Sequence, residues 1–415
     1  MSSQKNIIVV GGSFSGVSAA HYIIKHVVPT LPKDGAYKVM LVNPSTHMFH
    51  VVAAPRLVAA PELLPPSKAF HSIPEGFKQY SADKFAFIQA TATKLNTTDR
   101  TLTVQKTDGA EETLPYHALV LATGTRTTAP YLSAQTNTYE ETKKALSDIN
   151  AQIKKAKSIV VGGGGPAGVE TAGEIGEAFN GTAGWFASRP SKQKVKITVI
   201  TGADRLLPVL RPASAKQAET YLNRVGVDVV YNTRITSTST QPDGRTKVML
   251  SNGKEMEADV YIPATGTIPN SEFVPNQYLD DKSFVRTDLQ MRVDKASSLY
   301  CVGDVASYGR GGILDMYEAV PVLGTNLKRD LLASDAGKKP TGGDRSHSPI
   351  TKEGQLVPVG RSKGVGAFNG NKLPSVMVWA IKGRDYMVGQ SPDIVNGNKW
   401  AKEKAWKPSD AQPVM

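Results

Sequence analysis

The sequence predicts an α/β protein built from two similar units, and three observations carry that expectation. A strand, glycine-rich loop, helix and second strand occur in that order twice. Each copy is followed by short strand-like runs that end at Ala-Thr-Gly. A further apolar strand, much later in the chain, ends in Gly-Asp. The 415 residues are too many for one small core and suit two or three domains.

The first copy opens with Ile7-Ile8-Val9-Val10, a short β-branched run that reads as a buried parallel strand. Gly11-Gly12-Ser13-Phe14-Ser15-Gly16 follows, then a helix over Val17 to Val27 and a strand over Lys38 to Val42. The second copy has Ser158-Ile159-Val160-Val161, the run Gly162 to Gly168, a helix over Val169 to Phe179 and a strand over Lys196 to Ile200. Strand, glycine loop, helix, strand is the βαβ core of a dinucleotide fold. After the first core come strand-like runs at Phe85 to Ala92, Thr101 to Lys106 and Ala118 to Leu121, closing on Ala122-Thr123-Gly124. After the second come Val227 to Tyr231, Lys247 to Leu250 and Asp259 to Ile262, closing on Ala264-Thr265-Gly266. Turn signals lie between the middle runs, at Asp108-Gly109 and Ser251-Asn252-Gly253.

The expected fold is therefore α/β, with two Rossmann-like dinucleotide-binding domains, each with an inserted β-meander, and a small C-terminal α+β module. The expected divisions are a first domain over 1–140 that resumes over 272–335, and a second over 141–271. A Gly, Pro, Ser and Lys-rich linker spans 336–349, the C-terminal module 350–395 and a tail 396–415. Helix is expected around Tyr317 to Ala333, and Val357 to Val365 with Ser375 to Ile381 suggest the β-containing module.

Each glycine loop points to a pyrophosphate. Such a group needs backbone N–H donors, close approach and a helix N-terminus, and glycine permits the approach because it has no Cβ. Gly163, Gly165 and Gly168 match G-x-G-x-x-G with strand before and helix after. The first loop departs from that pattern, with Ser13 where the second glycine belongs. Where an acidic residue usually grips the ribose, the units have Asn43 and Thr201, which hydrogen-bond without charge. Asn43 also fits a turn before Pro44. Asp304, after Gly303, suits either a helix cap or a hold on a ribityl hydroxyl. Glu170 suits the helix dipole or a contact with nicotinamide or flavin where the domains meet. Arg205 stands close enough to Thr201 to pair with a 2′-phosphate, while Asp204 beside it works the other way. NADPH is accordingly expected to serve at least comparably to NADH.

Composition excludes other classes. One cysteine, Cys301, cannot form an intramolecular disulfide, which removes a dithiol relay and any multi-cysteine zinc site. No metal is expected. No apolar run approaches the roughly 18 residues of a membrane-spanning helix. Met1 to Asn6 shows no signal or transit segment, and no Gly follows Met1, so a cytoplasmic location without N-myristoylation is expected. The formal charge of +12 is compatible with nucleic acid, an anionic membrane or anionic cofactors and does not choose among them. It is spread along the chain without an arginine-rich arm, which reads as diffuse surface charge, and no specific nucleic-acid partner is expected. Trp400 and Trp406 alternate with Lys399, Lys402, Lys404 and Lys407, which suits a peripheral membrane contact through the tail, or simply a solvated tail.

These motifs together resemble the two-dinucleotide-binding-domain flavoproteins, and within them the apoptosis-inducing-factor-like branch that includes ferroptosis suppressor protein. Type II NADH:quinone dehydrogenases are more distant relatives. The resemblance covers nearly the whole chain. It rests on Val9 to Gly16, on Phe49-His50 with Ala53-Ala54-Pro55-Arg56, and on Leu121 to Gly124. It continues through Gly163 to Glu170, Ala264 to Gly266, Tyr300 to Asp304 and Gly360 to Gly366. It implies FAD in the first domain, held by Gly11, Gly12, Ser13, Phe14, Ser15, Gly16, Asn43, Ala122, Thr123, Gly124, Gly303 and Asp304, with Arg56 near the flavin. It implies NADH or NADPH in the second, on Gly163, Gly165, Gly168, Thr201, Arg205 and Gly266, with Glu170 near the nicotinamide as the catalytic candidate. The C-terminal module would cover the flavin and help form the acceptor site. Hydride would pass from nicotinamide to flavin and electrons onward to a small acceptor, foremost a quinone. A reductase for a protein electron carrier and a flavin-bound signalling or nucleic-acid-binding protein are the alternatives.

Overall fold

The computed structural model describes residues 4–32, 37–133, 138–341 and 343–407. Lys5–Val10 is the centre of the first sheet because its last four residues are buried on both faces. The strand order across that sheet is Leu299–Cys301, Ala118–Leu121, Lys5–Val10, Tyr37–Asn43, Phe85–Asn96, Thr101–Lys106 and Glu111–Pro115. The first five strands run parallel, and the last two continue as an antiparallel meander. Leu299–Cys301 therefore joins this sheet from far down the chain, which carries Gly303 and Asp304 to the first glycine loop.

The second unit repeats the plan. Val227–Val230, Lys196–Ile200, Ser158–Gly162 and Val260–Pro263 form a four-stranded parallel sheet in that order. A separate antiparallel meander comprises Ile235–Thr240, Thr246–Leu250 and Glu255–Ala258. Thr125–Arg126 pairs with Ile268–Pro269 just after the two Ala-Thr-Gly segments, so the two crossings between units are hydrogen-bonded together.

Helix Phe14–Tyr22 follows the first loop and continues as a π-helical turn over Ile23–Val27. It packs on the long helix Ile313–Asp335, where a Cβ on Gly324 would lie 2.3 Å from the Tyr22 ring. Helix Pro166–Asn180 follows the second loop. Helix Tyr139–Lys155 lies outside the elements expected from the sequence. Its Thr138 hydroxyl accepts from the Glu141 N–H while the Glu141 carboxylate accepts from the Thr138 N–H, a complete capping box.

The C-terminal residues divide between the two units. A hairpin, Gln355–Val359 with Lys363–Phe368, packs on helix Pro166–Asn180. Ser375–Val378 and Trp379–Gly383 are helical, so the module's second expected segment is not a strand. Ile394, Val395 and Trp400 instead enter the core of the first unit.

That packing corrects the expectation for the tail. Trp400 is buried against Tyr22 and Tyr317. Its carbonyl contacts His26 Nε2 at 2.8 Å, and Lys25 donates to the Gly397 carbonyl. Trp406 lies over the Arg329 guanidinium. An indole committed to the core is not free to enter a lipid interface. The remainder of the tail, 408–415, lies outside the described residues. Among the described residues no helix is long and apolar enough to cross a membrane.

Candidate functional site

The two glycine loops are built alike, and their geometry shows which glycines serve the fold and which face open space. Gly11 and Gly163 share a φ of 120°, and a Cβ on either would lie 2.3 Å from the carbonyl oxygen of Ala122 or Ala264. A Cβ on Gly16 would come within 1.7 Å of the Gly11 oxygen, and one on Gly168 within 2.0 Å of the Gly163 oxygen. Those four glycines let the strand, the helix and the neighbouring Ala-Thr-Gly segment close together. Gly165 differs, since a Cβ there would meet nothing within 4 Å. It is the N-cap of helix Pro166–Asn180, and no side chain caps it. Ser13 is its counterpart in the first unit, at the N-cap of helix Phe14–Tyr22 and likewise without a side-chain cap bond. Both helix N-termini thus keep backbone donors free beside open volume, which suits an anionic dinucleotide.

A cavity of about 350 Å³ lies beside the first loop. It is lined by Gly11, Gly12, Ser13, Asn43, Ala122 and Thr123, together with residues of the strand Phe85–Asn96 and the segment 270–273. Asn43 holds the loop in place, its Oδ1 accepting from the Gly12 N–H at 2.7 Å while its Nδ2 donates to the Ser45 carbonyl. Thr123 donates to the Asn270 carbonyl and accepts, through its own carbonyl, from the Asn270 amide. Asn270 was not singled out from the sequence. Gly303 reaches the same region, where a Cβ would lie 2.3 Å from Ser15 Oγ. The Asp304 carboxylate accepts from the Gly312 N–H at 2.7 Å, and Gly312 is the N-cap of the long helix. Asp304 thus ties down that helix start from eight residues upstream while lining a second cavity with Thr125 and Thr267. Its side chain reaches water at the cavity mouth although protein surrounds it, and that crowding holds its carboxyl above the usual range. Phe14 packs edge-on against His50, and Gly124 and Gly266 take positive φ with open space around them.

In the second unit the cavity is lined by Gly202, Ala203, Thr233, Arg234, Tyr261 and Thr265. Arg205 is not among its walls, because its guanidinium turns to the Pro208 carbonyl. Arg234 lies there instead, its side chain crossing Gly202. Thr201 is buried beneath the loop, with its hydroxyl accepting from the Ala203 N–H.

The domains and the C-terminal module meet at a buried polar cluster. Glu170, on the first turns of helix Pro166–Asn180, pairs with Lys382 at 2.5 Å. Burial pushes the Glu170 carboxyl up to about 7, against the pull of the Lys382 charge. One turn on, Glu174 accepts from Arg56 Nε at 3.1 Å and from Arg56 Nη2 at 2.7 Å, and from the Tyr386 hydroxyl at 3.0 Å. Arg56 also donates to the Gly383 and Arg384 carbonyls. Four of its donor contacts are thereby taken, and Arg56 clamps the module to both units. His50 is buried, with its ring nitrogens against Ser391 Oγ and the Tyr386 carbonyl, and burial lowers it to about 4. Lys382, Glu174 and Tyr386 were invisible in the sequence, where a lysine or tyrosine in a short C-terminal segment carries no motif.

A match to the family model described as pyridine nucleotide-disulphide oxidoreductase spans residues 5–321. The chain belongs to the pyridine nucleotide-disulphide oxidoreductase family. It is 43% identical over 410 residues to oxidoreductase phnG of Penicillium herquei, covering 96% of this chain and 98% of that one. To human ferroptosis suppressor protein 1 it is 26% identical over 399 residues, covering 94% and 95%. Among solved structures, NDH2 of Plasmodium falciparum in complex with NADH superposes with a TM-score of 0.65 at 13% identity, covering 97% of this chain and all of that one. The likeness to the apoptosis-inducing-factor and ferroptosis-suppressor branch therefore stands, as does the two-unit Rossmann architecture. This family member is a flavoprotein oxidoreductase that works with FAD and a nicotinamide nucleotide. It departs from the family's dithiol chemistry, because its one cysteine, Cys301, is buried and its thiol is pushed up to about 12.

Proposed function

We propose that the chain oxidises NADH or NADPH and delivers the electrons through FAD to a lipophilic small molecule, a quinone. One observation carries the choice of acceptor. The helical segment that supplies Lys382 to Glu170 also exposes Val376, Met377 and Ile381, with Phe368 of the adjoining hairpin exposed as well. An apolar surface contiguous with the buried ion pair offers a greasy approach to the place where the domains and the module meet. The likeness to type II NADH:quinone dehydrogenases supports the quinone. Exposed Arg361, Lys363, Lys372 and Arg384 flank the same surface, and they favour a reductase for an acidic protein carrier as the second reading.

In this reading the first loop, Asn43, Thr123, Asn270 and Asp304 bind the FAD, and the second loop with Arg234 binds the nicotinamide nucleotide. Bound FAD would accept a hydride and release electrons singly or in pairs. Glu170 and Lys382 would orient the nicotinamide and hold a proton at the Glu170 carboxyl. The C-terminal module would keep water from the junction, and with no second thiol in the chain the acceptor would meet the cofactor directly.

The test is the absorbance spectrum of the purified yellow protein. NADH should bleach the flavin band, and a short-chain quinone added without oxygen should restore it at a rate that supports turnover. Bleaching that quinone does not reverse, but oxygen does, would remove the quinone from the proposal.

A further inference from the structure

The most exposed large hydrophobic side chains among the described residues lie away from the walls of the cofactor cavities. Trp185 is 90% and Phe186 100% exposed. They are neighbours in the segment between helix Pro166–Asn180 and strand Lys196–Ile200. An aromatic pair wholly in water is unfavourable, and single exposed apolar residues are ordinary but a protruding Trp-Phe pair is not.

The pair is held out by specific contacts. The Ala187 N–H donates to the Gly184 carbonyl at 3.1 Å, which closes a four-residue turn with Trp185 and Phe186 at its tip. Arg224, ending the helix Pro212–Arg224, grips that turn from below. Its guanidinium donates to the carbonyls of Ala183 and Ala187, each at 2.8 Å, and of Gly184 at 3.2 Å. The Arg224 carbonyl accepts from the Ala183 N–H at 2.7 Å. A turn with this many anchors is pre-organised, so presenting the two rings costs little further ordering.

The charge around the turn has one sign. From Gly181 to Lys196 the chain carries Arg189, Lys192, Lys194 and Lys196 and no acidic residue. The parallel register sets Ser158 beside Lys196, and the Lys196 N–H donates to the Lys157 carbonyl. Lys154, Lys155 and Lys157 therefore lie at the same end of the sheet. These six lysines are exposed, and none forms an ion pair among the described residues. The nearby carboxylates are engaged, Asp228 by Arg189 and Asp259 by the N–H groups of Lys157 and Ser158. The nucleotide loops lie at the opposite, C-terminal end of these strands.

We propose that the Trp185–Phe186 turn and its lysine surround dock this protein on the surface of a membrane rich in anionic lipid. Indole and phenyl rings insert at the headgroup level, and the lysines stay with the phosphates. A protein partner would have to match both the apolar tip and a broad one-signed rim, whereas an anionic bilayer supplies both without shape matching. The inference does not depend on which molecule accepts the electrons.

The full-length holoprotein would be sedimented with phosphatidylcholine vesicles and with vesicles of phosphatidylcholine and phosphatidylserine in equal parts. Binding to the mixed vesicles only, weakening as salt is raised, is expected. Trp185→Ser/Phe186→Ser should lose about tenfold or more in affinity, and Lys192→Glu/Lys194→Glu a comparable amount. Both variants should keep wild-type FAD content and NADH oxidation with ferricyanide, which shows that they fold. Undiminished binding by the aromatic variant would overturn the proposal. So would equal binding to neutral vesicles, or a dimer in sedimentation velocity that the aromatic substitutions abolish, which would assign the turn to a second copy of the chain.

Discussion

In Glu170 an observed structural contact, the Lys382 pair, coincides with a proposed chemical role. Its carboxyl sits at about 7 instead of its ordinary 4.5 because the helix that carries it is buried against the C-terminal module. The sign of the pH effect follows. Between about 4.5 and 7 the folded protein keeps a proton that the unfolded chain has released, so this residue's contribution to stability falls as pH rises across that window. Glu170→Gln should flatten that slope in denaturation midpoints taken across the range. It should also slow flavin reduction by NADH in stopped flow and remove the inflection near pH 7. A variant as fast as wild type at every pH would leave Glu170 as a packing residue only. Arg234 is the second informative residue, because it occupies the cavity wall that Arg205 was expected to reach. A guanidinium there suits a 2′-phosphate, and a charge-assisted hydrogen bond contributes about 1.5–3 kcal/mol, roughly 10- to 150-fold in affinity. Arg234→Ala should raise the KM for NADPH on that scale while leaving that for NADH nearly unchanged, and Arg205→Ala should do neither. A loss confined to Arg205→Ala would return the role to Arg205.

The glycine loops separate two reasons for having a glycine at the element scale. A Cβ at Gly168 would strike the Gly163 carbonyl at 2.0 Å, backbone against backbone, whereas one at Gly165 meets nothing. Gly168→Ala should therefore cost folding stability and soluble yield. Gly165→Ala should fold and carry FAD normally but bind nicotinamide nucleotide more weakly, since its methyl would project into the space kept for the pyrophosphate. Titration showing unchanged NADH affinity in Gly165→Ala would mean that the phosphates lie elsewhere. Such loops were legible in the sequence because a repeated backbone need leaves a repeated residue pattern. Thr101–Lys106 and Ala118–Leu121 were read to the residue for a related reason, both being short apolar or alternating runs bounded by turn residues. The helix Tyr139–Lys155 carried its signal in Thr138 and Glu141 and was overlooked. The helical form of Ser375–Gly383 had no such signal, because Ser-Val-Met-Val-Trp-Ala-Ile is β-branched and aromatic enough to favour a strand, and tertiary packing decided against that preference. Lys382, Tyr386 and Arg234 were hidden for a different reason. Their roles come from where distant segments converge, and no local pattern records that.

At the scale of the molecule, Arg56 joins three parts of the chain. It stands in the first unit, binds Glu174 on the helix of the second, and donates to the Gly383 and Arg384 carbonyls of the C-terminal module. The Arg56 and Glu174 side chains are only 5% and 1% exposed, so the pair is fully committed once the module is in place. A buried ion pair of this kind adds little over apolar packing, but removing one partner leaves the other charge stranded at a cost of about 3–5 kcal/mol. Arg56→Ala would leave Glu174 with the Tyr386 hydroxyl alone. The loss should fall on the attachment of the module first and on the second sheet next, because Val357, Val359, Val365, Tyr386 and Val388 share one apolar core with that sheet, while the first sheet packs in a separate cluster. Arg384 is exposed beside the lost contact, so tryptic cleavage there should accelerate as the module opens more often, with the rate tracking the population of the open form. Quinone turnover should drop with it, because the same opening separates Lys382 from Glu170. Reduction of ferricyanide should fall less, since a small hydrophilic acceptor does not need the apolar surface of the module. If the variant resists trypsin like the wild type and loses both activities equally, Arg56 acts at the cofactor and not at the junction.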